Sequence, residues 1–319
     1  EPDVLFYFAK TADSAPILDK VVPIGEINKA YPDLKLPENV NIAEADGVVY
    51  AIPVRAFWEG LFVNKDLFEQ NGLELPTDWA KLEAAVKKFN EVGIIPIAVS
   101  FADVPHYITE FAIIASGTPD EHKARPATID EVPDSWKEGM ALLNTLHTMG
   151  AFAKDASATT NEVSSQLFRD KKAAMQLDGS WFANSIAESS WETTTVVPFP
   201  AYAADAEPTA FIGGVSMGFY LSRKAWDDPA KRDAAVSLLA YLTTGDNAVR
   251  LGGFSFGGSL LADSYVMLNN AKVMLAPFQD EMTAEARSLW FSKVPAIVDG
   301  TADPEAVWTE VMALNPFSK

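Results

Sequence analysis

The sequence contains no cysteine and only three histidines among 319 residues. Without thiols there is no disulfide framework, no thiolate nucleophile, no zinc–sulfur site and no iron–sulfur cluster. The lack leaves the redox compartment open, and it fits an exported bacterial protein that avoids oxidative pairing as well as a cytosolic one. His106, His122 and His147 are too widely spaced for an H-E-x-x-H motif or an i, i+4 pair on one helical face. No D-x-[DN]-x-[DN]-G loop occurs, so no metal site is expected. Neither G-x-G-x-x-G nor G-x-x-x-x-G-K-[ST] is present, which removes any positive sign of a nucleotide, and no cofactor is expected. Positive charge is scarce: 25 Lys+Arg stand against 44 Asp+Glu, a net charge of −19. Such a field repels phosphate polyanions and anionic lipid, so nucleic acid is excluded as a partner. No apolar run reaches the roughly 18 residues of a membrane span. Glu1-Pro2-Asp3 has neither a basic nor an apolar leader region, so any export signal is expected to have been removed already.

What is present is a globular composition, 48% hydrophobic with 11% aromatic, at a length that suggests about two domains. Strand-like apolar runs alternate with amphipathic helices nearly from end to end, the pattern of α/β architecture. Val4-Leu5-Phe6-Tyr7-Phe8 is unalternating and β-prone, as in a strand covered on both faces. Gly47 to Pro53 reads as a strand ending at the proline, and Gly60 to Asn64 as a second strand leading into a short helix closed by Gly72. After Pro76, Thr77 is placed to cap a helix whose Leu82, Val86 and Phe89 repeat at i, i+4, i+7 and which Gly93 ends. Ile94 to Val99 then returns as strand. Further helices are expected from Pro133-Asp134 to Leu146, Glu162 to Arg169, Asp228-Pro229 to Leu242 and Asp303-Pro304 to Leu314.

Gly214-Val215-Ser216-Met217-Gly218 and Gly253-Phe254-Ser255-Phe256-Gly257 both fit the nucleophile-elbow pattern G-x-S-x-G. In that architecture the histidine follows the serine, whereas all three histidines here lie upstream, which argues against a serine hydrolase. More conspicuous are aromatic rings set beside small or polar residues: Phe57-Trp58-Glu59, Pro105-His106-Tyr107, Gly179-Ser180-Trp181 and Trp290-Phe291. A flat ring with a polar handle suits a sugar, whose C–H face stacks while its hydroxyls meet Asp, Glu, Asn or His. Ordinary core packing is the favoured account of any single one of these rings, since large rings are mostly buried for stability.

Together, Pro2-Asp3-Val4, Tyr50-Ala51-Ile52-Pro53, Asn64-Lys65-Asp66-Leu67-Phe68 followed by Gly72, Pro76 and Trp79, and Gly93-Ile94-Ile95-Pro96-Ile97 form a collinear series. Phe168 to Gly179-Ser180-Trp181, with Lys172-Ala173-Ala174-Met175 inside it, and Phe211-Ile212-Gly213-Gly214 continue it. The series resembles the family 1 extracellular solute-binding proteins, receptors of carbohydrate ABC importers. The resemblance implies an α/β, type II periplasmic binding protein fold of two hinge-linked lobes with the ligand cleft between them. The first lobe is expected from residues 1–61 plus 212–263 and the second from 62–211 plus 264–319. It implies a monomeric, non-enzymatic, periplasmic or surface-anchored receptor that binds a neutral mono- or oligosaccharide by hinge closure and passes it to ABC permease membrane subunits.

Carried onto this sequence, the resemblance makes Trp181 the main aromatic platform, with Tyr107 and Tyr7 as further cleft rings. Phe57, Trp58 and Glu59 fall on the first hinge, Gly213 and Gly214 on the second, and Arg287, Trp290 and Phe291 near a helix that supplies ring contacts. His106, Asp103 and Glu59 are candidate partners for sugar hydroxyls. A phosphate or uronate ligand would want clustered cations, and the candidate segments carry only Arg55, Lys10 and Arg287, scattered. The family opens with two strand–helix units before the Pro-Asp segment, so an incomplete first lobe is expected. A carbohydrate-active enzyme, which needs two carboxyl groups across the scissile bond, and an interaction protein with a vestigial cleft stay open as alternatives.

Overall fold

The computed structural model describes residues 2–9, 14–38, 44–45 and 47–317, and Lys10 lies outside them. The chain divides into two compact units, Glu1–Phe57 with Gly214–Phe254 and Trp58–Gly213 with Ser255–Lys319. These junctions differ from the boundaries read from sequence. Residues 58–61 join the second unit, where Glu59 already pairs opposite Gly179. Residues 212 and 213 belong there too, since Ile212 pairs with Leu275. Residues 255–263 follow because the helix Gly258–Asn270 is fastened in that unit: the Ser259 hydroxyl donates to Glu192, and Leu260 N–H donates to the Trp191 carbonyl at 3.1 Å.

In the first unit, the strand Val4–Phe8 runs antiparallel to the end of Phe211–Leu221, with Val4 opposite Leu221. Its core gathers Val22, Ile24, Ile27, Ile52, Leu221, Val236, Leu239 and Trp226. The expected strand ending at Pro53 is instead the beginning of the 13-residue strand Ile52–Asn64, which absorbs the run from Gly60 as well. Pro53 sits at the strand's second position, close to its start, where proline is tolerated. The helix expected from Asp228 begins later, as Arg232–Thr243, because the Asp228 carboxylate first accepts Ala230 N–H at 2.9 Å and holds a turn.

In the second unit, Ile95–Ala98 lies parallel to Ala173–Gly179, which is antiparallel to the second half of Ile52–Asn64, and that half also pairs with Thr194–Val197. Every residue of Ala173–Gly179 is buried, so this strand is covered on both faces. The helix Trp79–Val92 buries Leu82, Val86 and Phe89 as read, and Gly93 closes it in the left-handed region at φ 75°. Its cap is Asp78 and not Thr77: the charged Asp78 carboxylate accepts Lys81 N–H at 2.9 Å. The helix Pro304–Met312 starts as expected, with Asp303 accepting Ala306 N–H at 2.9 Å. Beneath the helices lies a cluster in which Trp136, Trp290, Trp308 and Phe278 are each fully buried.

Candidate functional site

The site is built within the second unit from two junctions between elements, a paired strand and a neighbouring helix. The strand Ala173–Gly179 runs directly into the short helix Ser180–Ala183, which carries Trp181. Pairing puts Glu59 beside Gly179. The helix His106–Ala115 begins immediately after Pro105, so its first two residues carry the rings of His106 and Tyr107. Tyr107 and Trp181 approach with centroids 5.8 Å apart at 44°. His106 lies flat on Phe291, 4.7 Å away at 10°, on the helix Ala284–Val298 that also bears Arg287.

Trp181 is 41% exposed although it is large and apolar, whereas the acids beneath it are hidden: Asp178 and Glu110 are 1% exposed and Glu59 is 4%. Burial drives the Glu59 carboxyl well above the usual range, and the nearby charges of Glu110, Asp178 and Asp280 push the same way. Glu110 is also raised by burial, against hydrogen bonds from the backbone of Gln279 (3.2 Å) and Phe278 that favour its anion. Burial raises Asp178 to about 6, opposed by donation from Gly179 N–H at 2.7 Å, from Gln176 Nε2 at 2.9 Å and from Trp181. The Tyr107 hydroxyl is raised by burial and then by Asp178 and Glu59. His106 is lowered to about 3 by burial and by Arg287, with Asp103 opposing. At neutral pH the face therefore presents a neutral imidazole and a neutral phenol, with the Glu59 carboxyl shifted toward its protonated form. Such groups offer both donors and acceptors with little net charge. Nδ1 of His106 is buried and has no hydrogen-bond partner among the described residues.

Glu59, His106, Tyr107, Trp181 and Arg287 are thus brought together. Asp103 is near enough to bias His106, but its carboxylate is engaged: it accepts Asn161 N–H at 2.9 Å and 3.2 Å and the Ser100 hydroxyl, anchoring the helix Asn161–Arg169. Two candidates lie in the core. Trp290 is fully buried and stacked 5.6 Å from Trp308. Trp58 is 2% exposed, stacked on Phe62 at 5.6 Å with Phe256 edge-on at 6.1 Å, so it too is core. Gly213 is buried within its strand. Tyr7, Phe57 and Gly214 belong to the first unit. A Cβ on Gly214 would sit 3.6 Å from the Phe57 ring, an ordinary contact, so glycine is not sterically required there. Arg55 lies over the Phe6 ring in the first unit, while Arg287 belongs to the second. Asp178, Glu110 and Asp280 were not anticipated; the legible hint was Asp178 sharing a strand face with Gln176, two residues away.

The two G-x-S-x-G serines are otherwise occupied. Ser255 Oγ donates to Asn184 at 2.7 Å, and Ser216 Oγ to the Arg55 carbonyl at 3.4 Å. Among the described residues no group of three or more His, Asp or Glu is placed to hold a metal ion, and no helix is long and apolar enough to cross a membrane.

The sequence profile of the bacterial extracellular solute-binding proteins matches residues 1–249. The chain belongs to that family. This solute-binding protein is 24% identical over 168 residues to a multiple sugar-binding protein of Streptococcus mutans, a match spanning 50% of this chain and 40% of that relative. Its fold is that of a chitin oligosaccharide binding protein, with a TM-score of 0.81, 18% identity and coverage of 98% of this chain and 83% of the other. The solute-binding protein RafE in complex with raffinose has a TM-score of 0.71 at 18% identity, over 98% of this chain and 86% of RafE. Maltose-bound MalE3 of T. maritima has a TM-score of 0.71 at 15% identity, over 99% of this chain and 84% of that one. These likenesses establish the α/β fold of two-lobe solute-binding proteins, an extracytoplasmic family whose members bind solutes.

Proposed function

We propose that this solute-binding protein captures a neutral mono- or oligosaccharide on the Trp181–Tyr107 face and delivers it to the membrane subunits of an ABC importer. The observation that carries the reading is an exposed indole beside a phenol and a neutral imidazole, over buried carboxyl groups that burial shifts toward their protonated form. An indole face stacks on the C–H face of a pyranose, and uncharged donors and acceptors match its hydroxyls without demanding a counter-charge. The names of the multiple sugar-binding, chitin oligosaccharide binding and raffinose-bound relatives agree with a carbohydrate ligand. In this reading the protein acts as a monomer in the periplasm or at the cell surface, and closure about residues 57–58 and 213–214 favours the ligand-bound form.

Thermal unfolding against a panel of mono- and oligosaccharides tests it, with amino acids and polyamines as controls. A ligand at 100 times its Kd adds about 2.7 kcal/mol to the folded state, which is visible as a raised Tm. Trp181→Ala is expected to weaken binding of the responsive sugar by about 2 kcal/mol, roughly 30-fold, with little change in the ligand-free Tm. A response to amino acids or polyamines alone overturns the sugar assignment. The sugar is expected back intact; a new reducing end in the recovered material would make the protein a glycosidase instead.

A further inference from the structure

Trp181 is held by two features that a platform does not need merely to exist. Its indole lies directly over Gly179: a Cβ there would come within 2.3 Å of Cη2, 2.4 Å of Cζ2 and 2.5 Å of Cζ3. Gly179 has φ −101° and ψ 176°, ordinary extended backbone, so glycine serves the ring and not the chain. The indole also hydrogen-bonds to Asp178, whose carboxylate receives Gly179 N–H at 2.7 Å and Gln176 Nε2 at 2.9 Å. Gln176 Nε2 donates in turn to Ser165 Oγ at 3.1 Å on the helix Asn161–Arg169. A buried polar chain thus runs from that helix through the strand to the exposed ring.

We propose that Asp178 is a positioning residue that locks the Trp181 indole flat over Gly179, so that the pair Asp178 and Gly179 sets the orientation of the aromatic platform. The proposal rests on the reading of Trp181 as the sugar-stacking ring. An isolated tryptophan on a short helix samples several rotamers, and fixing one before the ligand arrives removes an ordering cost from binding. The carboxylate is suited to this because bonds to an anion are stronger than neutral ones, so Asp178 holds its donors most firmly while ionised. Burial sets that boundary near 6, and the groups that couple to it are Glu59 on the paired strand and Tyr107 on the helix His106–Ala115, with Glu110 on that helix and Asp280 on the turn Phe278–Glu281 acting on Glu59. Above that pH the lock is tight; below it the bond to Asp178 weakens and the indole is held less firmly.

The whole chain is used for the test. Trp181 emission is isolated as the difference between the native chain and Trp181→Phe, because seven other tryptophans of the eight also emit. In ligand-free protein this difference spectrum is expected to shift with a midpoint near 6. The shift should vanish in Asp178→Asn. Gly179→Ala, which leaves the backbone conformation available, should give the displaced spectrum at every pH with a Tm close to that of the native chain. Both variants should bind the responsive sugar about fivefold or more weakly at neutral pH. A difference spectrum that is flat from about pH 4.5 to 7.5 and unchanged by Gly179→Ala overturns the positioning role, even if sugars bind. If the spectrum titrates as expected and no sugar binds, the positioning role stands and the carbohydrate reading fails.

Discussion

His122 provides the most direct test of how burial governs this protein. It is 1% exposed, its two ring nitrogens have no hydrogen-bond partner among the described residues, and Phe278 meets it edge-on at 5.5 Å. Burial, reinforced by Arg125 and Lys123, lowers its pKa from 6.5 to about 3. The unfolded chain therefore binds a proton between those values that the folded chain refuses, and stability is complete above 6.5 and lost as the pH falls. For this side chain alone the loss is about 1.4 kcal/mol at pH 5.5 and about 2.7 kcal/mol at pH 4.5. His122→Phe removes the titration and forfeits no hydrogen bond to the described residues, because the imidazole makes none among them. Urea unfolding of both chains at about pH 7.5 and 4.5 gives four stabilities and one double difference. His106, lowered like His122, and the raised carboxyls of Glu59, Glu110 and Asp178, whose stabilisation instead fades as the pH rises, are common to both chains and cancel. The variant should lose about 2.7 kcal/mol less than the native chain on acidification. Equal losses would refute the reasoning, since they would mean that the folded state accommodates the imidazolium.

Trp290→Ala should cost about 3–5 kcal/mol in urea unfolding and leave sugar affinity unchanged, because the ring fills the cluster with Trp308, Phe278 and Trp136. An affinity loss without destabilisation would return Trp290 to the site. Gly139→Ala should destabilise by about 1–3 kcal/mol, since the new methyl would stand 2.4 Å from Ile113 Cα, and backbone cannot rotate away as a side chain can. A Tm equal to that of the native chain would show that the helices Asp134–Thr148 and His106–Ala115 slide apart freely.

Much of the fold was legible because it is local. The helix Trp79–Val92 is specified by a 3.6-residue apolar repeat and a left-handed glycine at Gly93, both visible without any tertiary partner. The start of Pro304–Met312 needs only Asp303 and the proline after it. Where reading failed, a nonlocal partner decided. Pro53 resembled a strand end, yet the chain stays extended to Asn64 because later strands pair along it. Residues 255–263 carry no mark of the unit they join, since the Glu192 and Trp191 contacts that hold the helix Gly258–Asn270 lie more than 60 residues upstream.

By itself the sequence determined the α/β class, excluded thiol chemistry and polyanion binding through its composition, and pointed to Trp181, Tyr107, His106 and Glu59 through rings set at element ends. It did not separate Trp181 from Trp58 and Trp290. An aromatic residue beside a turn reads the same whether neighbouring helices cover it or leave it 41% exposed, and only packing makes that choice. The carboxyl cluster was equally hidden. Glu59, Glu110, Asp178 and Asp280 are far apart along the chain, and each alone looks like one of 44 solvated acids. Strand register and helix docking gather them into one volume, and the resulting desolvation, a property of the assembled structure, raises the carboxyl groups of Glu59, Glu110 and Asp178 above their ordinary range.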